Sequence, residues 1–221
     1  MVTLGNFDLT FSENVSGPPM KIFSITGTGR VTFSAVEQRV YAAWYGPAGD
    51  GVADDADLLS YAFAHGREVI LGDGVYGVSK SITVDANSSL VGVRGRTAFK
   101  NLANTCAGIQ LEGNNSVDGI GFVGFGSKAT DYVDAGFVCV GDKITFSHTW
   151  YDQMAGPCVY GANVSQITIE NANITGSRGG TLCEIVAGII QIGSLGDFHF
   201  VSTGTPFTDI KIRHVNAAAA T

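Results

Sequence analysis

Apolar residues along most of this chain alternate with small or polar ones in short runs, and turn-forming residues part the runs. The first segment reads Val2-Thr3-Leu4, Phe7-Asp8-Leu9-Thr10-Phe11, Lys21-Ile22-Phe23-Ser24-Ile25 and Arg30-Val31-Thr32-Phe33. Between these lie Gly5-Asn6, Gly17-Pro18-Pro19 and Gly27-Thr28-Gly29. The pattern predicts a small β-meander or arm over residues 1–40, which buries too little to stand alone and must lean on a partner or on the main body. One stretch has a helical period instead. Leu58, Leu59, Ala62 and Phe63 fall on one face, Asp54 is placed to cap, Asp57 follows three residues later, and Gly66 supplies a stop. A helix over about 54–65 is expected, its acidic first turn suiting the helix dipole.

Strand signals return with Glu68-Val69-Ile70-Leu71, Gly74-Val75-Tyr76-Gly77-Val78 and Ser89-Leu90-Val91. Pairs of apolar residues at i and i+2 then recur at Ile120/Phe122, Ile144/Phe146, Ile167/Ile169, Ile190/Ile192 and Ile210/Ile212, in steps of 24, 23, 23 and 20 residues. A period in the low twenties matches one turn of a three-faced β-helix, with three short strands and three corners. Gly124, Gly126, Asn171, Asn173, Gly193 and Gly196 fall where corners need tight or left-handed backbone. Six or seven turns fit between residues 68 and 216. The expected fold is therefore all-β: a right-handed parallel β-helix over 41–221, with one N-terminal capping α-helix and the β segment 1–40. No capping element follows the last rung, Asp209 to Asn216, so that end is expected to meet a second copy, another protein or more chain.

Composition narrows the function classes. Charged residues are only 15% of the chain and glycines number 30, which suits stacked strands and tight corners rather than a helical bundle. The net charge of −7, with no Lys/Arg cluster, argues against a nucleic-acid partner and against an anionic membrane surface. Cys106, Cys139, Cys158 and Cys183 form no CxxC pair and read as buried free thiols. Asp50, Asp54, Asp55 and Asp57 lack the spacing of a calcium loop, so neither metal nor cofactor is expected. Residues 1–20 carry Asp8 and Glu13 and no basic start, unlike a secretory signal, and no apolar run is long enough to span a bilayer. The expectation is a chain without a cleaved secretory signal and without membrane insertion.

Gly46, Gly49, Asp50, Gly51, Asp54 and Asp55, then Val69, Leu71, Gly74 and Tyr76, then Leu90 and Gly92 carry a resemblance. Over about residues 44–95 the chain resembles the entry to the pectate-lyase-like β-helix superfamily, which includes bacteriophage tailspikes and polysaccharide depolymerases. It departs at Gly72, where the family usually has proline. The resemblance implies a cap and first turns and is silent about chemistry. It suggests a bacteriophage tailspike or tail-fibre protein in the virion tail, a homotrimer recognising host cell-surface polysaccharide and joined to other phage tail proteins through residues 1–40. The alternatives are a polysaccharide depolymerase, lyase or glycosidase, and a purely structural tail adaptor or decoration protein.

Glycoside hydrolysis needs two carboxylates flanking the bond. Candidates on the rungs are Asp131, Asp134, Asp142, Asp152, Glu170, Glu184, Asp197 and Asp209, none paired at i, i+2 on one strand face. Asp152 and Glu184 come nearest to an aligned stack and are the candidate catalytic pair, against the alternative of solvated surface carboxylates. His148-Thr149-Trp150-Tyr151-Asp152 is the densest group of sugar-competent side chains. His148, Trp150 and Tyr151 are the candidate substrate-binding residues, since aromatic rings stack on the apolar face of a pyranose. Alternatively, Trp150 packs a corner or a subunit interface.

Overall fold

The structure, a computed structural model, describes residues 1–13, 15–33, 39–64, 67–103, 108–124, 135–152, 154, 157–175, 183–192, 198–201 and 211–212. Its core is a parallel β-solenoid of about six turns. Face A stacks Arg39–Tyr41, Glu68–Ile70, Ser89–Val91, Ser116–Asp118 and Ile144–Ser147, then the end of the strand Val159–Glu170. Face B stacks Asp50–Asp54, Gly74–Val78, Thr97–Asn101, Ile120–Val123, Trp150–Asp152 and Asn173–Thr175. Face C stacks Ile82–Val84, Ile109–Leu111 and Phe137–Cys139, then the start of Val159–Glu170.

Alternation along each short strand sends one side chain column inward. On face A the buried column is Val40, Val69, Leu90, Val117, Phe146 and Ile169. On face B it is Tyr76, Phe99, Phe122 and Tyr151, whose successive ring centroids lie 6.2, 5.4 and 6.2 Å apart. Phe137 of face C meets Phe122 edge-on at 4.7 Å and Phe146 at 5.0 Å, which ties the three faces together. Parallel in-register stacking buries like against like, so each rung is stable chiefly through its neighbours. Cys139 and Cys158 are buried free thiols in this core, whereas Cys106 and the side chain of Cys183 lie outside the described residues.

The expected repeat holds from Ile144/Phe146 through Ile167/Ile169 to Ile190/Ile192, all on face A. Ile120/Phe122 does not belong to it. That pair stacks on Thr97 and Phe99 of face B, and the face A partner of Phe146 is Val117. Its inward neighbour is a polar residue. Asn115 is buried, accepts the Gly113 N–H at 2.8 Å, and donates to the carbonyls of Asp85 and Ser88 at 2.8 and 3.2 Å. A corner-satisfying asparagine thus stands where an apolar residue was expected. A second difference is that Val159–Glu170 and Cys183–Ile192 are continuous strands that round the corner from face C to face A.

The helix, α1, spans Ala56–Phe63 and takes the place of face C in the first turn. Ala56, Leu59, Ala62 and Phe63 are buried, and Phe63 meets Phe99 edge-on at 6.4 Å, so α1 closes the end of the ring stack. The acidic residues before it differ from simple capping. The residue at the cap position is Asp55, and its side chain makes no cap bond. Its buried carboxylate instead accepts the backbone N–H groups of Ala48 and Gly49 at 2.6 and 3.1 Å. Asp54 accepts the Ala56 N–H at 3.1 Å and the Ser79 N–H at 3.2 Å, stapling the helix start to the next rung. Asp57 faces solvent and pairs with Lys80. Asp50 accepts from Val52 and Ala53 at 2.8 Å each, shaping the turn of its own strand.

The N-terminal segment is not a meander. Val2–Leu4 pairs in parallel with Phe23–Ile25, and Leu9–Phe11 with Val31–Phe33, so it is coiled like the main body. Parallel pairing follows from Asn6 and Asp8, whose side chains accept the backbone N–H groups of Thr28 and Arg30 one turn later at 3.2 and 2.9 Å. Phe23 and Phe33 pack against Tyr45 at 5.5 Å and Trp44 at 6.1 Å, and the Trp44 indole N–H donates to the Pro18 carbonyl at 3.0 Å. The segment therefore shares one hydrophobic core with the solenoid.

Candidate functional site

Polar chemistry concentrates where face A turns into face B. The outward residues at that end of face A are Val91, Asp118, Ser147 and Glu170, in register on successive rungs and about 4.8 Å apart. The next residue makes the corner, and at Gly119, His148 and Asn171 it is left-handed, with φ of 72°, 50° and 54°. Glycine and asparagine adopt that conformation readily, whereas histidine does so at some cost. Face B then begins with Gly121, Trp150 and Asn173, again in register.

The corner places His148 directly over the preceding rung. Its Nδ1 lies 2.8 Å from Asp118 Oδ1, which also accepts the Ser147 hydroxyl at 3.1 Å. The Arg94 guanidinium donates to Asp118 Oδ2 at 3.4 Å. Partial burial pushes the Asp118 carboxyl up, but the bonds from His148 and Ser147 and the charge of Arg94 outweigh it and hold the group below the usual carboxylate range. An ionised carboxylate accepts only, so Nδ1 carries the proton facing it and Nε2 is left with its lone pair when the ring is neutral. No described residue engages Nε2. Arg96 pairs with Asp73 at 2.9 Å on the same corner of earlier turns.

Trp150 stands beside this group. A Cβ built on Gly121 would fall 2.3 Å from Trp150 Cδ2 and Cε2, so the indole lies flat over that glycine. The ring is half-buried, and its Nε1 is covered without a hydrogen-bond partner among the described residues. Together the corner offers an aromatic plate, an imidazole lone pair and a guanidinium on neighbouring rungs of one edge.

Of the five residues expected at a site, His148 and Trp150 are at this edge. Tyr151 is not available there, because it points inward and its ring stacks on Phe122 at 6.2 Å with 2° between planes. Strand alternation dictates this: outward Trp150 requires inward Tyr151. Asp152 lies on face B, in register with Val123 and Thr175. Glu184 lies in a strand segment of face C, in register with Tyr160 and His199, and its side chain is outside the described residues. The register does not stack these two carboxylates. Asp131, Asp134, Asp197 and Asp209 also lie outside the described residues. Asp118 and Arg94 were missed. The signal for Asp118 was the alignment of Val117 with Phe146, which the inward Asn115 obscures.

No family model matches the chain, and no curated protein matches it in sequence. The solved structures that share its fold include the following. A candidate glycosyl hydrolase from Parabacteroides merdae ATCC 43184 aligns with TM-score 0.67 at 12% identity, over 81% of this chain and 96% of that one. PfbA, a surface adhesin of Streptococcus pneumoniae, aligns with TM-score 0.63 at 14% identity, over 81% of this chain and 57% of that one. ORF18 of Geobacillus virus E2 aligns with TM-score 0.51 at 14% identity, over 98% of this chain and 55% of that one. The chain thus spans little more than half the adhesin and the viral protein. At these identities the likeness is one of fold. Among the described residues no helix is long and apolar enough to cross a membrane.

Proposed function

We propose that this chain is a bacteriophage tail component of the tailspike or tail-fibre type, a homotrimer that recognises host surface polysaccharide through the edge between faces A and B. The observation that carries this reading is Trp150 laid flat over Gly121 beside the Asp118–His148 pair. A flat indole stacks on the apolar face of a sugar ring, while imidazole, guanidinium and carboxylate answer its hydroxyls. The fold shared with a viral protein, a surface adhesin and a candidate glycosyl hydrolase supports a role at a glycan surface. Residues 1–40 are the proposed contact to other tail proteins.

Binding is favoured over depolymerisation because the register leaves Asp152 and Glu184 unstacked. The test is direct. Capsular polysaccharides and lipopolysaccharides are screened for binding to the purified chain and to Trp150→Ala, and light scattering measures the mass. Binding that falls at least tenfold in the variant, with a trimer mass, supports the reading. A monomer, or binding that Trp150→Ala leaves unchanged, overturns it.

A further inference from the structure

The Asp118–His148 pair has more structure than glycan contact requires. His148 holds a corner position that the same column fills with Gly119 and Asn171, and it accepts the left-handed conformation at φ 50°. Both oxygens of Asp118 are engaged, by three donors in all, so this carboxylate fixes the imidazole and is not itself free to take a proton. The ring is about one-third exposed, with Nε2 unengaged by any described residue. An imidazole held at Nδ1 by a carboxylate, on a partly exposed ring with Nε2 left unengaged, is the arrangement of a general base.

We propose that His148 Nε2 is the general base of an ester hydrolysis that removes acyl groups from the bound polysaccharide, with Asp118 as its positioning residue. The inference rests on the glycan-edge reading above and adds a reaction to it. A water molecule attacks the acyl carbonyl carbon and gives its proton to Nε2. The tetrahedral oxyanion is stabilised by the Arg94 guanidinium, which shares Asp118 with the imidazole. Its collapse breaks the carbon–oxygen bond to the sugar, and Nε2 returns the proton to that sugar oxygen. The products are a carboxylic acid and a free sugar hydroxyl. No redox partner enters.

Charge at the edge selects among the reactions a histidine base can serve. Arg94 is already matched by Asp118, and Glu170 follows Ser147 in register, so the group carries one more negative than positive charge. A uronate brings a permanent negative charge to that excess, whereas an acylated sugar arrives neutral and its oxyanion forms only transiently, against Arg94 N–H groups beyond the one given to Asp118. Glycosidic hydrolysis needs two working carboxylates, and Asp118 is committed to holding His148.

The experiment uses 4-nitrophenyl acetate, an ester whose hydrolysis does not depend on knowing the glycan. The wild-type chain is compared with His148→Asn, which suits the left-handed corner as Asn171 does, and with Asp118→Asn. His148→Asn is expected to lower the rate about 100-fold or more, with circular dichroism unchanged. Asp118→Asn is expected to lower it as well and to move the acidic limb of the pH–rate profile, which a merely structural residue would not do. Equal rates in wild type and His148→Asn overturn the proposal, and so does a profile that Asp118→Asn leaves in place. Glycan binding without ester hydrolysis would overturn this inference and leave the recognition reading intact. Ester hydrolysis without glycan binding would overturn the recognition reading and the polysaccharide as substrate, and leave His148 as the base of the ester hydrolysis.

Discussion

Asp55 is the single residue on which the N-terminal closure most depends. Its carboxylate is 1% exposed and accepts the Ala48 and Gly49 N–H groups at 2.6 and 3.1 Å, while its own N–H donates to the Gly77 carbonyl at 2.8 Å. It thereby ties the loop before the first face B strand to the start of α1 and to the next rung. Asp55→Ala strands two amide donors, at about 1–3 kcal/mol each. Removing a buried carboxylate returns part of that, so the expected loss is about 2–4 kcal/mol. Asp55→Asn keeps one acceptor but turns an N–H₂ toward the other donor, for about 1–2 kcal/mol. Burial outweighs the two N–H donors and pushes the Asp55 carboxyl up, with the Asp50 charge adding to the rise. A carboxyl raised on folding contributes stability below its unfolded value that is lost as pH climbs through the folded one. The gap between wild type and Asp55→Asn should therefore be widest below about pH 4 and narrow above it. Solenoid ends fray separately from the middle, so the assay is urea unfolding followed by Trp44 fluorescence in a Trp150→Phe background. Trp44 sits in the aromatic cluster beneath the cap. An Asp55→Ala variant within about 0.5 kcal/mol of its parent would refute the reasoning.

Three further outcomes follow from the same geometry. Gly121→Ala should push the Trp150 indole off the sheet, given the 2.3 Å approach of the added Cβ; a red shift in Trp150 fluorescence and a stability loss of about 1–3 kcal/mol by urea unfolding check it. Asp118 is held low in the folded state, so its contribution is present above its unfolded value near pH 4 and is lost as pH falls below it. Because the group is a third exposed, Asp118→Asn should cost under about 1 kcal/mol at pH 7, and the difference should vanish by about pH 2 in unfolding titrations. Burial pushes the thiols of Cys139 and Cys158 far up; in the native chain both should resist iodoacetamide at pH 8, and mass spectrometry after urea should find both alkylated.

The elements most legible in the sequence are those whose signal is local. The helix showed itself through Leu59, Ala62 and Phe63, and the later face A rungs through Ile144, Ile167 and Ile190, because strand alternation and helical period are read within a few residues. Parallel pairing of Val2–Leu4 with Phe23–Ile25 was not legible, since a short alternating run looks the same whichever way its partner runs. Asp54 showed itself as the cap residue, but that Asp55 takes the cap position and points inward depends on the turn that precedes it.

The site follows a different rule. His148 and Asp118 are thirty residues apart and meet only because Phe146 stacks on Val117. That register depends on how much chain the corners of one turn consume, which no fixed period supplies. A constant step near 23 aligns Phe146 with Phe122 and so places His148 over Gly124, on the wrong face. Once the buried Asn115 is recognised as a corner residue, its bonds to Asp85 and Ser88 fix the turn below, and the stacking of Phe146 on Val117 then sets Asp118 under Ser147, within reach of the His148 imidazole. In a solenoid, then, side chains that do chemistry are brought together by rung register, and the rung register is written in the inward polar residues at corners rather than in the apolar columns.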